Sequence, residues 1–160
     1  GCIWRRLYGC LPGRLVCPMK IYFFIFFLLE KSVFLLNMNF LGTGIWSGDA
    51  RNLSIDLATG CFCEKLKDGF VRHMTVVYAG ENALRLSGAL GPLQFTGASG
   101  HMAFNFKAGA DPNTTVLTVT YDVGGYAKGG LAEQWAKPVD GVIGEQVGRL
   151  KMLLETGKTG

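Results

Sequence analysis

The sequence predicts an α+β fold: a curved antiparallel sheet of about six strands packed on one long C-terminal helix. Three observations carry the expectation. Apolar residues alternate with polar ones in short runs between Arg51 and Val123, the runs lie about ten residues apart with turn residues at the joins, and Val139–Glu155 switches to a helical period. A row of antiparallel strands ending in a single helix excludes a doubly wound sheet. The helix must cover one face of the sheet, and the space between them is a core or a pocket.

The strands follow in order. Leu53, Ile55 and Leu57 alternate with Asn52, Ser54 and Asp56, the pattern of a half-buried strand. Thr59-Gly60 turns the chain into Cys61–Leu66, and Lys67-Asp68-Gly69 is a hairpin signal. Phe70–Tyr78 is apolar on both faces, as a central strand requires, and Ala79–Asn82 turns again. Leu84 and Leu86 alternate with Arg85 and Ser87. Gly88–Gly100, rich in Gly with one Pro, reads as a loop or kinked edge. Met102, Phe104 and Phe106 then face one way against His101, Asn105 and Lys107, and Leu117, Val119, Tyr121 and Val123 form the last apolar face.

Gly124–Lys137 is a long connection. Pro138 suits a first helical turn, with Asp140 near the positive end of the dipole. Val139, Val142, Ile143, Gln146, Val147, Leu150, Leu153 and Leu154 share one face of the helix, while Gly141, Gly144 and Gly148 share the other. A glycine stripe means either close packing or an unoccupied surface.

Residues 1–45 differ from the rest, so the predicted division is 1–45 and 46–160. The first 42 residues carry Arg5, Arg6, Arg14, Lys20 and Lys31 against Glu30, which accounts for the whole formal charge of +4. The remainder is neutral and leaves no basic face for phosphates, so nucleic acid is not an expected partner. Met19-Lys20 and the apolar run Ile21–Leu29 are similar to the start of a secretory signal, but Glu30-Lys31 cuts the run short of the ~20 residues a spanning helix needs. Three readings stand: a signal- or anchor-like segment, with membrane contact through residues 19–41, a degraded N-terminus, or structure packed with the rest of the fold. A periplasmic, secreted or anchored location follows from the first and a cytoplasmic one from the others. Five cysteines, at 2, 10, 17, 61 and 63, do not suggest a disulfide framework, and Cys61 with Cys63 reads as a poor intrachain pair.

SGDARNLSIDLATGCFCEKL (47–66), HMTVVYA (73–79), LRLSGALGPLQ (84–94), LTVTYDVGGYAKGGL (117–131) and VDGVIGEQVGRLK (139–151) resemble a bacterial branch of the SRPBCC superfamily. This branch comprises START/Bet v 1-like helix-grip proteins, polyketide cyclase-like or Hsp90-ATPase-activator-like. The resemblance covers residues 46–157 and implies a sheet gripping the C-terminal helix around an apolar cavity. The branch pattern departs over residues 1–45, where no alternating strand or capped helix pair is legible, and at Trp46.

The expected function is non-catalytic binding of a small hydrophobic or amphipathic molecule, lipid- or polyketide-like. The candidate contacts are Cys61, Cys63, His73, Met102, Phe104, Phe106, Leu117, Val119, Tyr121, Val142, Ile143 and Gln146. Cys61, Cys63 and His73 have zinc-ligand chemistry, but sulfurs two residues apart on a strand stand about 7 Å apart, so no metal and no cofactor is expected. Alternatives are a cyclase- or hydrolase-like enzyme using His73 or a tyrosine as acid/base, and a chaperone-interacting adaptor. His73 has no carboxylate partner discernible in the sequence.

Overall fold

The computed structural model describes residues 19–26, 52–111 and 114–156. Seven antiparallel strands form one sheet: β1 (Met19–Phe26), β2 (Leu53–Asp56), β3 (Cys61–Leu66), β4 (Gly69–Gly80), β5 (Ala83–Gly88), β6 (Gly97–Ala108) and β7 (Thr114–Tyr126). Their order is β1-β7-β6-β5-β4-β3-β2. From β2 to β7 each strand pairs with its neighbour in sequence, the meander expected from short turns between alternating runs. A 3-10 turn, Gly91–Phe95, separates β5 from β6, and a π-helical turn, Leu131–Trp135, leads into α1 (Ala136–Thr156).

The six expected strands are present, and a seventh joins them from the N-terminal region. Met19–Phe26 pairs along β7, from Met19 opposite Tyr121 to Phe26 opposite Thr114. The absence of alternation in MKIYFFIF hid a strand, because a run of uniformly apolar, β-favouring residues has no period to read. The remainder of the expected signal or anchor segment lies outside the described residues, as does Trp46. Among the described residues, no helix is long and apolar enough to cross a membrane.

The core lies between the inward side of the sheet and α1. Phe62, Met74, Leu84, Leu86, Met102, Phe104, Leu117, Val119 and Tyr121 from β3–β7 join Ile143, Val147 and Leu150 of the helix in one hydrophobic cluster. Burying each such aliphatic or aromatic side chain contributes about 1.5–3 kcal/mol, so the shared cluster is what holds the helix on the sheet. Leu153 and Leu154 lie outside the described side chains. Gly141 and Gly148 face open space, with no atom within 4 Å of the point where a methyl group on either would stand, so at these two positions the glycine stripe is an unoccupied surface and not a close contact.

β4 bends twice. The ladder with β3 skips one residue at His73, where Phe62 opposes Met74 and Cys63 opposes Arg72. The ladder with β5 skips Val77. Each β-bulge changes which side of the sheet the following residues face and adds local twist. These skips, invisible in the apolar run Phe70–Tyr78, also leave Phe70 72% exposed and turn Val77 outward.

Candidate functional site

A polar pair sits inside this apolar layer. His73 Nε2 lies 2.9 Å from Glu64 Oε2, and the two residues are 2% and 0% exposed. Neighbouring strands supply them. On β3, Phe62 and Glu64 alternate inward while Cys61 and Cys63 face the opposite side. On β4, alternation would allow only one of two consecutive residues inside, yet His73 and Met74 are both buried. The bulge resolves this. Val71 faces inward before it and Met74 and Val76 after it, and His73 is the single extra residue that the skipped pairing accommodates.

The segment 88–94 braces the bulge. Gly88 has φ +141, and a methyl group on it would meet the Met74 Cα at 3.3 Å and the His73 carbonyl oxygen at 3.4 Å. Glycine at that position therefore lets β5 approach the bulged backbone closely. The Gln94 amide Nε2–H donates to the Arg72 carbonyl at 2.7 Å and reaches the His73 carbonyl at 3.4 Å. Leu93, 1% exposed, anchors the turn that carries Gln94. Tyr121 Oη accepts from Leu90 N–H at 2.9 Å and donates to the Gly88 carbonyl at 3.1 Å, tying the start of this brace to β7.

Electrostatics follow from burial. Desolvation lowers the His73 pKa below its ordinary 6.5, and the hydrogen bond and charge of Glu64 partly oppose the shift. Burial thus favours the neutral imidazole, and Nε2 shares its hydrogen bond with Glu64 Oε2. Phe62 packs against it, ring centroids 5.4 Å apart. The second carboxylate oxygen, Glu64 Oε1, is buried without a hydrogen-bond partner among the described residues. Burial also raises the Tyr121 pKa, against the lowering effect of the Leu90 hydrogen bond.

The expected contact residues divide into three groups. Met102, Phe104, Leu117, Val119, Tyr121 and Ile143 are buried in the shared cluster, and Phe106 packs at its edge. Val142 and Gln146 are half-buried at the margin of the helix face. Cys61 and Cys63 require a correction: they lie on the outer side of β3, away from Glu64 and His73, with a Cα separation of 5.4 Å. The expectation placed the cysteines on the inward side of β3, whereas Phe62 and Glu64 take the inward positions of that strand. Among the described residues, no group of three or more His, Cys, Asp or Glu is placed to hold a metal ion.

Glu64 is absent from the expected set. Its only sequence signal is parity with Phe62, and that parity puts a carboxylate inside, against the usual preference of glutamate for water. The inward choice of the cysteines avoids that cost. The buried imidazole, itself brought in by a bulge, is what makes the other choice feasible.

No known protein family and no curated protein matches the chain in sequence. Solved structures do match in fold. A conserved protein of unknown function from Enterococcus faecalis, EF2215, superposes with a TM-score of 0.60 at 15% identity, covering 98% of this chain and 80% of its own. The Mll3558 protein from Rhizobium loti gives 0.53 at 12% identity, covering 82% and 94% respectively. At such identities the likeness is one of fold.

Proposed function

We propose that this is a helix-grip domain of SRPBCC type that binds a small amphipathic molecule between the sheet and α1, without covalent chemistry. The strand order, with β1 returning beside β7, and the single helix over the inward face favour the helix-grip reading. One observation carries the binding reading: Glu64 Oε1 is buried with no hydrogen-bond partner among the described residues, in a largely apolar interior. Buried polar atoms are nearly always hydrogen-bonded, and an unpaired one costs roughly 1–3 kcal/mol. A ligand with an apolar body and one O–H or N–H donor would satisfy that oxygen while burying its remaining surface among Met102, Phe104 and Ile143. The full chain purified under mild conditions and examined by native mass spectrometry should carry such a molecule, or be stabilised against heat by long-chain alcohols or phenols. Glu64→Gln should weaken that stabilisation. Absence of both a bound molecule and any thermal shift would remove the proposal.

A second reading, acid/base catalysis, gains from the 2.9 Å Glu64–His73 contact, which supplies the carboxylate partner the sequence did not reveal. A carboxylate that orients an imidazole is the arrangement general-base chemistry uses. A pH–rate profile abolished by His73→Ala, in the presence of bound ligand, would select it over simple binding.

A further inference from the structure

The described interior is unbalanced in charge. Among the described residues the buried polar and charged side chains are Glu64, His73 and Asp140, and no lysine or arginine is buried with them. Sheet and helix each contribute one of the carboxylates. Glu64 is buried with Phe62 on the inward side of β3, and Asp140 stands on α1 one turn before Ile143, on the face that also buries Val147 and Leu150. The basic side chains nearby in sequence and register lie at the surface. Lys65 and Arg72 are exposed, with Arg72 Nη1 3.5 Å from Thr75 Oγ1, and the exposed Arg85 lies over the Tyr78 ring at 5.3 Å. Within the pair, Glu64 Oε2 is engaged by His73 Nε2 at 2.9 Å, while Oε1 accepts from no described residue. With the imidazole in the neutral form that burial favours, an ionised Glu64 leaves one negative charge in this layer. A neutral donor such as an alcohol satisfies Oε1 and leaves that charge buried. An ammonium group satisfies the oxygen and cancels the charge, and charge-assisted hydrogen bonds are the stronger kind.

We propose that the molecule bound between the sheet and α1 is an amphipathic primary amine, held as its ammonium by Glu64 Oε1 with its hydrocarbon body in the apolar cluster. This rests on the binding reading above and narrows it from any hydrogen-bond donor to a cationic one. Glu64 is the recognition residue. His73 is a positioning residue, because its hydrogen bond to Oε2 leaves Oε1 as the oxygen open to a ligand. Selectivity follows from what a buried carboxylate rejects. A fatty acid brings a second carboxylate beside the first, and a quaternary ammonium carries charge with no N–H to donate.

The test titrates the full chain by calorimetry at neutral pH with probes of equal tail: octylamine, octanol, N-octylacetamide and octanoate. Octylamine should bind once per chain and roughly tenfold tighter than octanol or the amide, the margin between charged and neutral hydrogen bonds, with octanoate weakest. Octanol should displace octylamine, which puts both in one site. Glu64→Gln keeps an acceptor oxygen and loses the charge, so there octylamine should fall to within about twofold of octanol. On the wild type, nuclear Overhauser contacts from the methylene beside the ammonium to the Phe62 or His73 ring protons should locate the head group without any variant. Octanol or octanoate binding as tightly as octylamine would overturn the amine assignment and leave the binding reading standing. Binding of none of the four would remove both. An amine preference that survives Glu64→Gln, octylamine that octanol does not displace, or no contact to either ring would put the cation elsewhere and overturn the proposal.

Discussion

At the scale of single residues, the Glu64–His73 pair governs both stability and pH response. Removing one member of a buried pair leaves the other without compensation, at a cost of about 3–5 kcal/mol, whereas replacing both with apolar residues is close to neutral. His73→Leu should therefore lower denaturation stability strongly, and the Glu64→Met/His73→Leu double variant should recover most of the loss. A double variant as unstable as the single one would show that the pair is not the cause. The pH dependence has a definite sign. The unfolded chain takes up the His73 proton near 6.5 and the folded chain only at lower pH, so this contribution is whole above about 6.5 and declines as pH falls below it. Urea midpoints measured across that range should drop for wild type and flatten for His73→Leu. Tyr121→Phe strips a donor and an acceptor from Gly88 and Leu90, and should cost about 1–3 kcal/mol by the same assay.

Among the elements, those with a clean period were legible in the sequence. Leu84 and Leu86 on β5, the alternation of Met102 and Phe104 on β6, and Val147 with Leu150 on α1 all fall on the buried side. The Lys67-Asp68 turn links Leu66 to Gly69 as a two-residue hairpin. What escaped reading has a common cause: β4 changes parity at His73 and Val77, and a bulge inserts a residue without altering composition. β1 escaped for the opposite reason, having no alternation to display. The candidate site suffered most, because its two members depend on one bulge and on an inward carboxylate that composition argues against. On α1, open space beside Gly148 makes it a plain helix-propensity position. Gly148→Ala should raise stability by about 1 kcal/mol, visible as a higher melting temperature, and a fall would mean that the surface is in use.

For the molecule as a whole, β1 completes the sheet by covering the β7 edge over Thr114–Tyr121. A chain of residues 46–160 lacks that cover, and an unpaired edge is a template for association between chains. It should melt at a lower temperature than the full chain and show more high-mass material on gel filtration. Equal behaviour of the two would remove β1 from any part in stability. The exposed aromatics Phe95 and Tyr126, 94% and 73% accessible, persist in both chains and make a fair internal comparison.

The placement of β1 also has a temporal side. Its partner is the strand made last, and about a hundred residues separate the end of one from the end of the other. At a synthesis rate of about 5–20 residues per second, MKIYFFIF waits roughly 5–20 s before anything native exists for it to pair with. During biogenesis that greasy stretch is the part of the chain most in need of a guardian, and the meander it finally seals can assemble without it.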